Sequence, residues 1–430
     1  MNAKESPIKK VFRNHNFIML WAGQGTSILG DQFEMIAAPW LVLKLTNDPL
    51  ALGTVLALTS IPRALFMLLG GAITDRFSSR KIMLISDAIR MVLMAAMAIL
   101  VFTGGIQTWM LYPFALVFGT IAGFFSPAAA SMVPHVVRKE DLQAGNALMQ
   151  GTGQLATFVG PLLAGGLIAL FSSATAGTSS ASMAGIALAL GLDGLSFLVS
   201  IITLLSIHLL QAPQTGPAEN VLHSIKSGIL YVLNEGTLRI LFILTAAANL
   251  FLMGPIFVGI PVLSEHRLAE GAAAFGLIMS AMGGGNLLGI LLGGSLRRPD
   301  GVQLKTILVA LIAGFGLALV SFAFFRTTWI IFAVMLVVGV GNGYFGVTAV
   351  TLLQQRTPSN MLGRIMSLVM FSSFGLAPIS QALSGLLIKM SLDGLFIGAG
   401  LLMLGLAAWT ALNPGARKIG EGLLSVTPAN

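Results

Sequence analysis

The chain is a succession of apolar runs, each close to the length needed to cross a lipid bilayer. A helix of about 20 mostly apolar residues spans the hydrocarbon core. Cutting the sequence at charged and Pro/Gly/Ser-rich stretches leaves twelve runs: 17–45, 50–74, 82–103, 108–132, 143–171, 181–205, 239–263, 272–296, 304–325, 328–353, 362–388 and 393–412. A helix satisfies its own backbone hydrogen bonds, as lipid demands of a spanning segment. The predicted fold class is therefore all-α integral membrane, with twelve transmembrane helices in two six-helix bundles. Composition leaves no soluble alternative: 56% of residues are hydrophobic and 9% charged, against roughly 45–50% and about 25% in soluble domains. The 50 glycines follow no period, which excludes a collagen-like chain and suits closely packed helices in lipid. With no cysteine, disulfides, thiolate metal sites and cysteine nucleophiles are excluded.

The net charge of +8 would suggest nucleic acid in a soluble protein. Here most Lys and Arg lie in short loops between the runs, and no nucleic-acid partner is expected. Placing the N-terminus in the cytoplasm puts all but Lys44, Arg267, Arg326, Lys389 and the intrahelical Arg63 and Arg90 on the inner side. The positive-inside rule then predicts a multi-pass protein of a bacterial cytoplasmic (inner) membrane with both termini cytoplasmic. The basic start MNAKESPIKKVFRNHN resembles a signal peptide's n-region, but the run from Phe17 to Leu45 is too long for an h-region and is read as a retained helix.

Three domains are expected: an N-terminal bundle over 1–207, a cytoplasmic linker over 208–237 and a C-terminal bundle over 238–430. Within the linker, Val221, Ile225, Ile229, Val232 and Leu233 fall on one helical stripe, which predicts an amphipathic helix on the inner membrane surface. The bundles share an internal repeat. Gly70-Gly71-Ala72-Ile73-Thr74 recurs as Gly293-Gly294-Ser295-Leu296-Arg297, and VRKEDLQAGNALM (137–149) as QRTPSNMLGRIMSL (355–368). Parallel repeats of this kind hold substrate at the interface of the two halves.

Charges inside the spans cost about 2.5–3.5 kcal/mol each near a helix centre, so they mark the chemistry. Asp31, Glu34, Arg63, Asp87, Arg90 and Asp193 are such charges, all in the first half. At about 1.5 Å per residue, Asp31, Arg63 and Asp193 share a layer near mid-membrane, with Glu34 one turn beyond Asp31. Asp31, Glu34, Arg63 and Asp193 are the proton-coupling candidates: Asp31 or Glu34 would take up and release a proton, with Arg63 as its fixed counter-charge. The alternatives are a permanent ion pair fixing two helices and, for Asp193, a packing hydrogen bond. Asp87 and Arg90, three residues apart on a shallower level, read as a secondary ion pair near the interface.

Other residues shape rather than react. In GGAITDRFSSRK (70–81), Gly71 permits a close helix approach, Asp75 can accept from a neighbouring helix N-terminus, and Arg76, Arg80 and Lys81 are basic, together forming a candidate cytoplasmic gate. Gly153, Gly160, Pro161 and Gly165 make a thin, kinked fifth helix, either a sliding surface or simple packing. Phe33, Met35, Phe66, Asn249 and Asn286 are candidates to line a substrate cavity, with lipid contact or an interfacial belt as the alternative for the apolar three. The five histidines lie in or near loops without ligand spacing, and nucleophile, base and metal ligands are not clustered in the spans. No enzyme activity, cofactor or metal is therefore expected.

Together these features resemble the major facilitator superfamily, over essentially the whole chain. The segment 70–81 is similar to its signature loop between the second and third helices, although Ser78 and Ser79 stand where glycine and a basic residue are common. FFSPAAASMVPHVVRKEDLQAGNALMQ (124–150), LDGLSFLVSII (192–202) and LLQQRTPSNMLGRIMSL (352–368) resemble the bacterial exporter branch of macrolide efflux proteins and the enterobactin exporter. The resemblance implies a monomeric carrier, embedded in membrane lipid, that exports a hydrophobic or amphipathic small molecule in exchange for protons by alternating access. An importer or lysophospholipid flippase of the same fold, or a non-transport membrane protein, are the alternatives. The arginine that marks the fourth helix of many proton antiporters has no counterpart in 108–132, so Arg63 or Arg90 would stand in for it.

Overall fold

In the first spanning helix the chain starts and stops on side-chain signals. Asn14 caps its N-terminus, the side chain accepting from the Asn16 and Phe17 N–H groups, and Asn47 ends it in the left-handed region at φ 47°. The computed structural model describes residues 7–74, 78–173, 180–208, 235–296, 301–357 and 375–413. Side-chain surroundings are described within these ranges except at 7, 68–74, 172–173, 180–182, 237, 301–302 and 355–356. No strand occurs among the described residues.

A short α1 (Pro7–Phe12) precedes α2 (His15–Thr46), α3 (Pro49–Thr74), α4 (Ser79–Phe102) and α5 (Thr108–Val136). After a 3-10 turn at Lys139–Asp141 come α6 (Leu142–Ser173) and α7 (Ser180–Leu205). In the second half α8 (Gly236–Gly254) passes through a π-turn at Pro255–Gly259 into α9 (Ile260–Arg267). It is followed by α10 (Ala272–Ser295), α11 (Gly301–Phe322), α12 (Thr328–Arg356), α13 (Ala377–Met390) and α14 (Leu392–Leu412). Ten of the described helices, counting α8 to α9 as one, are long and apolar enough to cross a membrane. The helix α2 is not among them because Asp31, Gln32 and Glu34 interrupt it, yet at 32 residues it extends about 48 Å. The eleventh expected run, 362–388, is described only from 375, and the linker stripe at 221–233 lies outside the described residues.

Contact clustering divides the chain into two compact units. The first contains Met1–Asn47, Leu58–Ala218 and Ala269–Ser280; the second contains Asp48–Ala57, Glu219–Leu268 and Ala281–Asn430. The start of α3 thus belongs with the second unit and the start of α10 with the first. Glycine makes both exchanges possible. A Cβ on Gly53 would stand 2.5 Å from the Gln381 carbonyl oxygen and 3.0 Å from the Cα of Gly385, and one on Gly165 2.6 Å from the Ala272 carbonyl and 2.8 Å from Gly276 Cα. In lipid there is no hydrophobic force between helices, so such backbone-to-backbone approaches carry the packing.

Polar ties finish the helix ends. In the first unit Asn14 Nδ2 donates to the Val136 carbonyl at 2.7 Å, while Asn16 exchanges two hydrogen bonds with the backbone of His208. Beneath them Phe17, Leu20, Met83, Met132 and Val136 form a core packed by α1. In the second unit Arg267 forks onto both oxygens of Asp393 at 2.5 and 2.9 Å, and Lys389 meets Asp48 at 3.0 Å. Partial burial opposes the Asp48 charge, but Lys389 and the Leu50 N–H outweigh it and hold the carboxyl below its ordinary value.

The π-turn begins at Pro255, whose missing N–H already interrupts the ladder, and a second interruption sits just before it. In an unbroken helix the Gly254 N–H would meet the Leu250 carbonyl; instead the Ser380 hydroxyl stands between them, accepting from Gly254 N–H at 2.7 Å and donating to Leu250 O at 2.5 Å. A side chain inserted into the ladder is a recognised cause of such breaks. Ser380→Ala would leave the buried Gly254 N–H and the part-buried Leu250 carbonyl without this partner, at about 1–3 kcal/mol. A lower melting temperature of the purified protein is expected, with recovery in Ser380→Thr; a variant melting like the wild type would mean that the ladder simply closes.

Candidate functional site

The first unit concentrates its polar residues where three helices meet. On α2, Gly23, Gln24, Ser27, Gly30, Asp31 and Glu34 recur every three or four residues and so share a face. On α7, Asp193, Ser196, Ser200 and Thr203 do the same. The glycines let the two faces close: a Cβ on Gly30 would stand 2.6 Å from Asp193 Oδ1, and one on Gly23 3.3 Å from Ser200 Cα. The third member, α4, contributes Asp87 and Arg90, both buried.

Arg90 is the hub. Its Nη2 donates to Asp87 Oδ1 at 2.5 Å, and its Nη1 lies 3.7 Å from Asp31 Oδ1. The guanidinium is sandwiched between the rings of Phe125 and Phe197, 3.9 and 4.3 Å from their centroids, a geometry that attracts a cation and holds its plane. Asp87 is fully buried and takes a second hydrogen bond from Ser200 Oγ at 2.7 Å. Asp31 differs from it on both counts. Its side chain is 39% exposed, and its contact with Arg90 is an ion pair beyond hydrogen-bond length. One carboxylate is locked in place and the other is loosely held and open. Glu34, half-buried, follows one turn along α2.

Sequence reasoning gave the counter-charge of Asp31 to Arg63 and set Asp87 with Arg90 apart as a shallow pair. In the structure Arg90 occupies that place, and Arg63 lies exposed on α3, acting on Asp31 and Glu34 through its field. The reason is where α4 starts. It begins at Ser79, three residues before the apolar run, so Arg90 sits roughly 17 Å along the helix and reaches the level of Asp31. The aromatic sandwich and the Ser200 bond went unseen. The spacing of Asp193, Ser196, Ser200 and Thr203 was the available signal.

The remaining candidates are distributed. Of the gate residues, Asp75 and Arg76 lie outside the described residues, as do the surroundings of Gly71, and Lys81 is exposed. Arg80 closes the end of α7, donating from Nε to the Leu204 carbonyl and from Nη2 to that of Leu205, both at 2.8 Å, where a cation complements the helix dipole. Gly160 packs on Gln32, Pro161 and Gly165 face Gly276, and Gly153 has open space about it. Phe66 packs on Phe124 with centroids 5.0 Å apart, Phe33 and Met35 are half-buried, and Asn286 is half-buried in α10. Asn249 spends a side-chain N–H on the Thr245 carbonyl of its own helix at 2.9 Å. Among the described residues no group of three or more His, Asp or Glu could hold a metal ion.

Comparison with known proteins agrees with this architecture. The family model described as transmembrane secretion effector matches residues 7–414. The chain is 25% identical to the multidrug efflux pump Tap of Mycolicibacterium fortuitum over 97% of its own length and 98% of that protein's. It is 24% identical to the enterobactin exporter EntS of Escherichia coli O1:K1 / APEC, over 77% and 75% of the two chains. Among solved structures it is similar to a peptide transporter POT in complex with sulfate (TM-score 0.72, 13% identity, 95% of this chain and 96% of that one). A bacterial homologue of the iron transporter ferroportin in its inward-facing state gives a TM-score of 0.70 at 16% identity, over 94% and 99%. These two likenesses concern the fold, the twelve-helix arrangement that the apolar runs predict. With a family match covering nearly all of its length, the chain belongs to the transmembrane secretion effectors of the major facilitator superfamily, in the branch that holds drug and siderophore exporters.

Proposed function

We propose that the protein is a secondary active exporter of amphipathic small molecules, driven by protons, in which Asp31 takes up and releases the proton against a fixed Arg90. It works by alternating access as a monomer in a bacterial cytoplasmic membrane, with both termini inside. The observation that carries this reading is the asymmetry of the two carboxylates on one guanidinium. Asp87 and its Ser200 bond hold Arg90 whatever Asp31 does, so protonating Asp31 removes one contact without dismantling the cluster. Two unit charges at about 4 Å attract by about 4 kcal/mol at an effective dielectric constant of 20, and by less wherever water reaches them. Even a tenth to a half of that shifts a two-state equilibrium severalfold, so the protonation state of Asp31 can bias α2 against α4. Export is supported by the efflux pump and exporter relatives.

The test is ethidium and erythromycin efflux from cells stripped of their own pumps, with and without a proton ionophore. Wild-type protein should lower accumulation only while the pH gradient stands. Asp31→Asn should fall to the empty-vector level at unchanged amounts in the membrane. Gradient-driven efflux surviving in Asp31→Asn would remove that carboxylate from the mechanism. Uptake reported by inverted vesicles distinguishes export from import or lipid flipping, because an exporter loads them.

A further inference from the structure

Asp193 is as buried as Asp87 but lacks its partners. Its relative exposure is 0%, and its Oδ2 has no hydrogen-bond partner. Its Oδ1 receives only a long contact from Ser196 Oγ at 3.4 Å, a hydroxyl whose better bond, at 2.7 Å, goes to the Asp193 carbonyl. Among the described residues no cation lies within ion-pair distance of it. An ionised carboxylate held this way in a membrane interior carries the full cost of desolvation with nothing to offset it, whereas a carboxylic acid needs no counter-charge. Asp87, equally buried, has by contrast the Arg90 guanidinium on one oxygen and the Ser200 hydroxyl on the other.

The cover over Asp193 is α2. At Gly30 the helix comes so close to α7 that a Cβ there would overlap Ser196 Oγ and stand 2.6 Å from Asp193 Oδ1. Asp31 is the next residue of α2. A displacement of α2 away from α7 would uncover Asp193 and carry Asp31 with it. The charged groups facing Asp193 are Asp31 and Glu34 from α2 and Arg90 from α4, with Asp87 beyond Arg90. The helix α6, which also packs on α7, contains no ionisable residue.

We infer that Asp193 is a second proton-carrying residue, which holds its proton while α2 covers it and releases it to water when α2 lifts from α7. This rests on the reading of Asp31 as the first. On release the O–H bond of the acid breaks, the proton passes to a water molecule as hydronium, and the carboxylate left behind is hydrated. Before α2 closes again a proton from water restores the acid. Gly30 is then a hinge face kept bare so that the cover can seat and leave.

Infrared spectra of the purified full-length protein in phosphatidylethanolamine and phosphatidylglycerol vesicles test this without any substrate. At a pH of about 7, where an ordinary aspartate is ionised, the wild type should show a carboxylic-acid C=O band. In difference spectra against the wild type, one component of that band should be lost in Asp193→Asn, move in Asp193→Glu and remain in Asp31→Asn. In D2O it should shift as the proton exchanges, at a rate changed several-fold by Asp31→Asn because both residues answer to the same movement of α2. A band indifferent to Asp193→Asn, a band that never exchanges, or an exchange rate untouched by Asp31→Asn would each overturn the inference. Efflux by Asp31→Asn is read separately, so a failure of the Asp31 reading shows in transport and a failure of the Asp193 inference shows in the band.

Discussion

Arg90→Leu is expected to leave little folded protein in the membrane. The substitution keeps an apolar side chain between Phe125 and Phe197 but strands Asp87, fully buried, with only the Ser200 hydroxyl for company. Removing one partner of a buried pair costs about 3–5 kcal/mol, a large part of the stability of a typical domain. Arg90→Lys keeps the charge and should fold better. It should still transport poorly, because an ammonium is a point charge and cannot lie flat between two rings while touching two carboxylates. The double variant Arg90→Leu with Asp87→Asn removes both charges and should recover the folded protein but not the proton-driven efflux. Gel filtration of a fluorescent fusion, followed by thermal melting, reads all three. A monodisperse Arg90→Leu protein melting at the wild-type temperature would show that Asp87 does not depend on the guanidinium.

What the sequence made legible was everything set by length and by expense. Within the described residues the apolar runs correspond to helices because lipid permits few other structures, and the described ends agree with the runs to within a few residues. At 239–263 the run hid a broken helix: Pro255 marks the break inside the run, whereas Ser380, which bridges Gly254 and Leu250 there, lies far along the chain where no local pattern connects it to them. The costly charges lie on α2, α3, α4 and α7, and α2, α4 and α7 are the three helices whose polar residues meet around Arg90 and Asp87. Their pairing was another matter: it depended on where α4 begins, and Ser79, Arg80 and Lys81 look like loop until the helix is seen to start beneath them. Asn249 illustrates the opposite limit. A polar residue inside a span looks like a ligand-binding group, yet it finds its partner one turn back on its own helix. Aromatic clamps such as Phe125 and Phe197 were invisible because apolar residues are the background of every span here.

Gly289→Leu is expected to disrupt the second unit more completely than any other single glycine substitution on α10. There Gly285 and Gly289, four residues apart, face Gly339 and Gly343 of α12 at the same spacing, the small-residue pattern that lets two helices touch along their backbones. A Cβ on Gly289 would fall well inside van der Waals contact distance of the Val340 carbonyl oxygen and 2.8 Å from Tyr344 N. On Gly343 the Cβ would press on the Asn286 carbonyl, with Ile290 N at 2.9 Å. Because the obstructing atoms are backbone, no rotamer change can make room, and the helices must separate. Separation forfeits the dispersion contacts along the crossing, which are individually small and collectively the main attraction in lipid, and places the variant among those losing more than about 4 kcal/mol. Gly294→Leu is the matched control: it lies on the same helix, with nothing within 4 Å of its Cβ position, and should reach the membrane and melt as the wild type does. If Gly289→Leu matched that control in yield and melting temperature, α10 and α12 would have to cross at a distance that accommodates side chains, and the glycines would owe their presence to something other than packing.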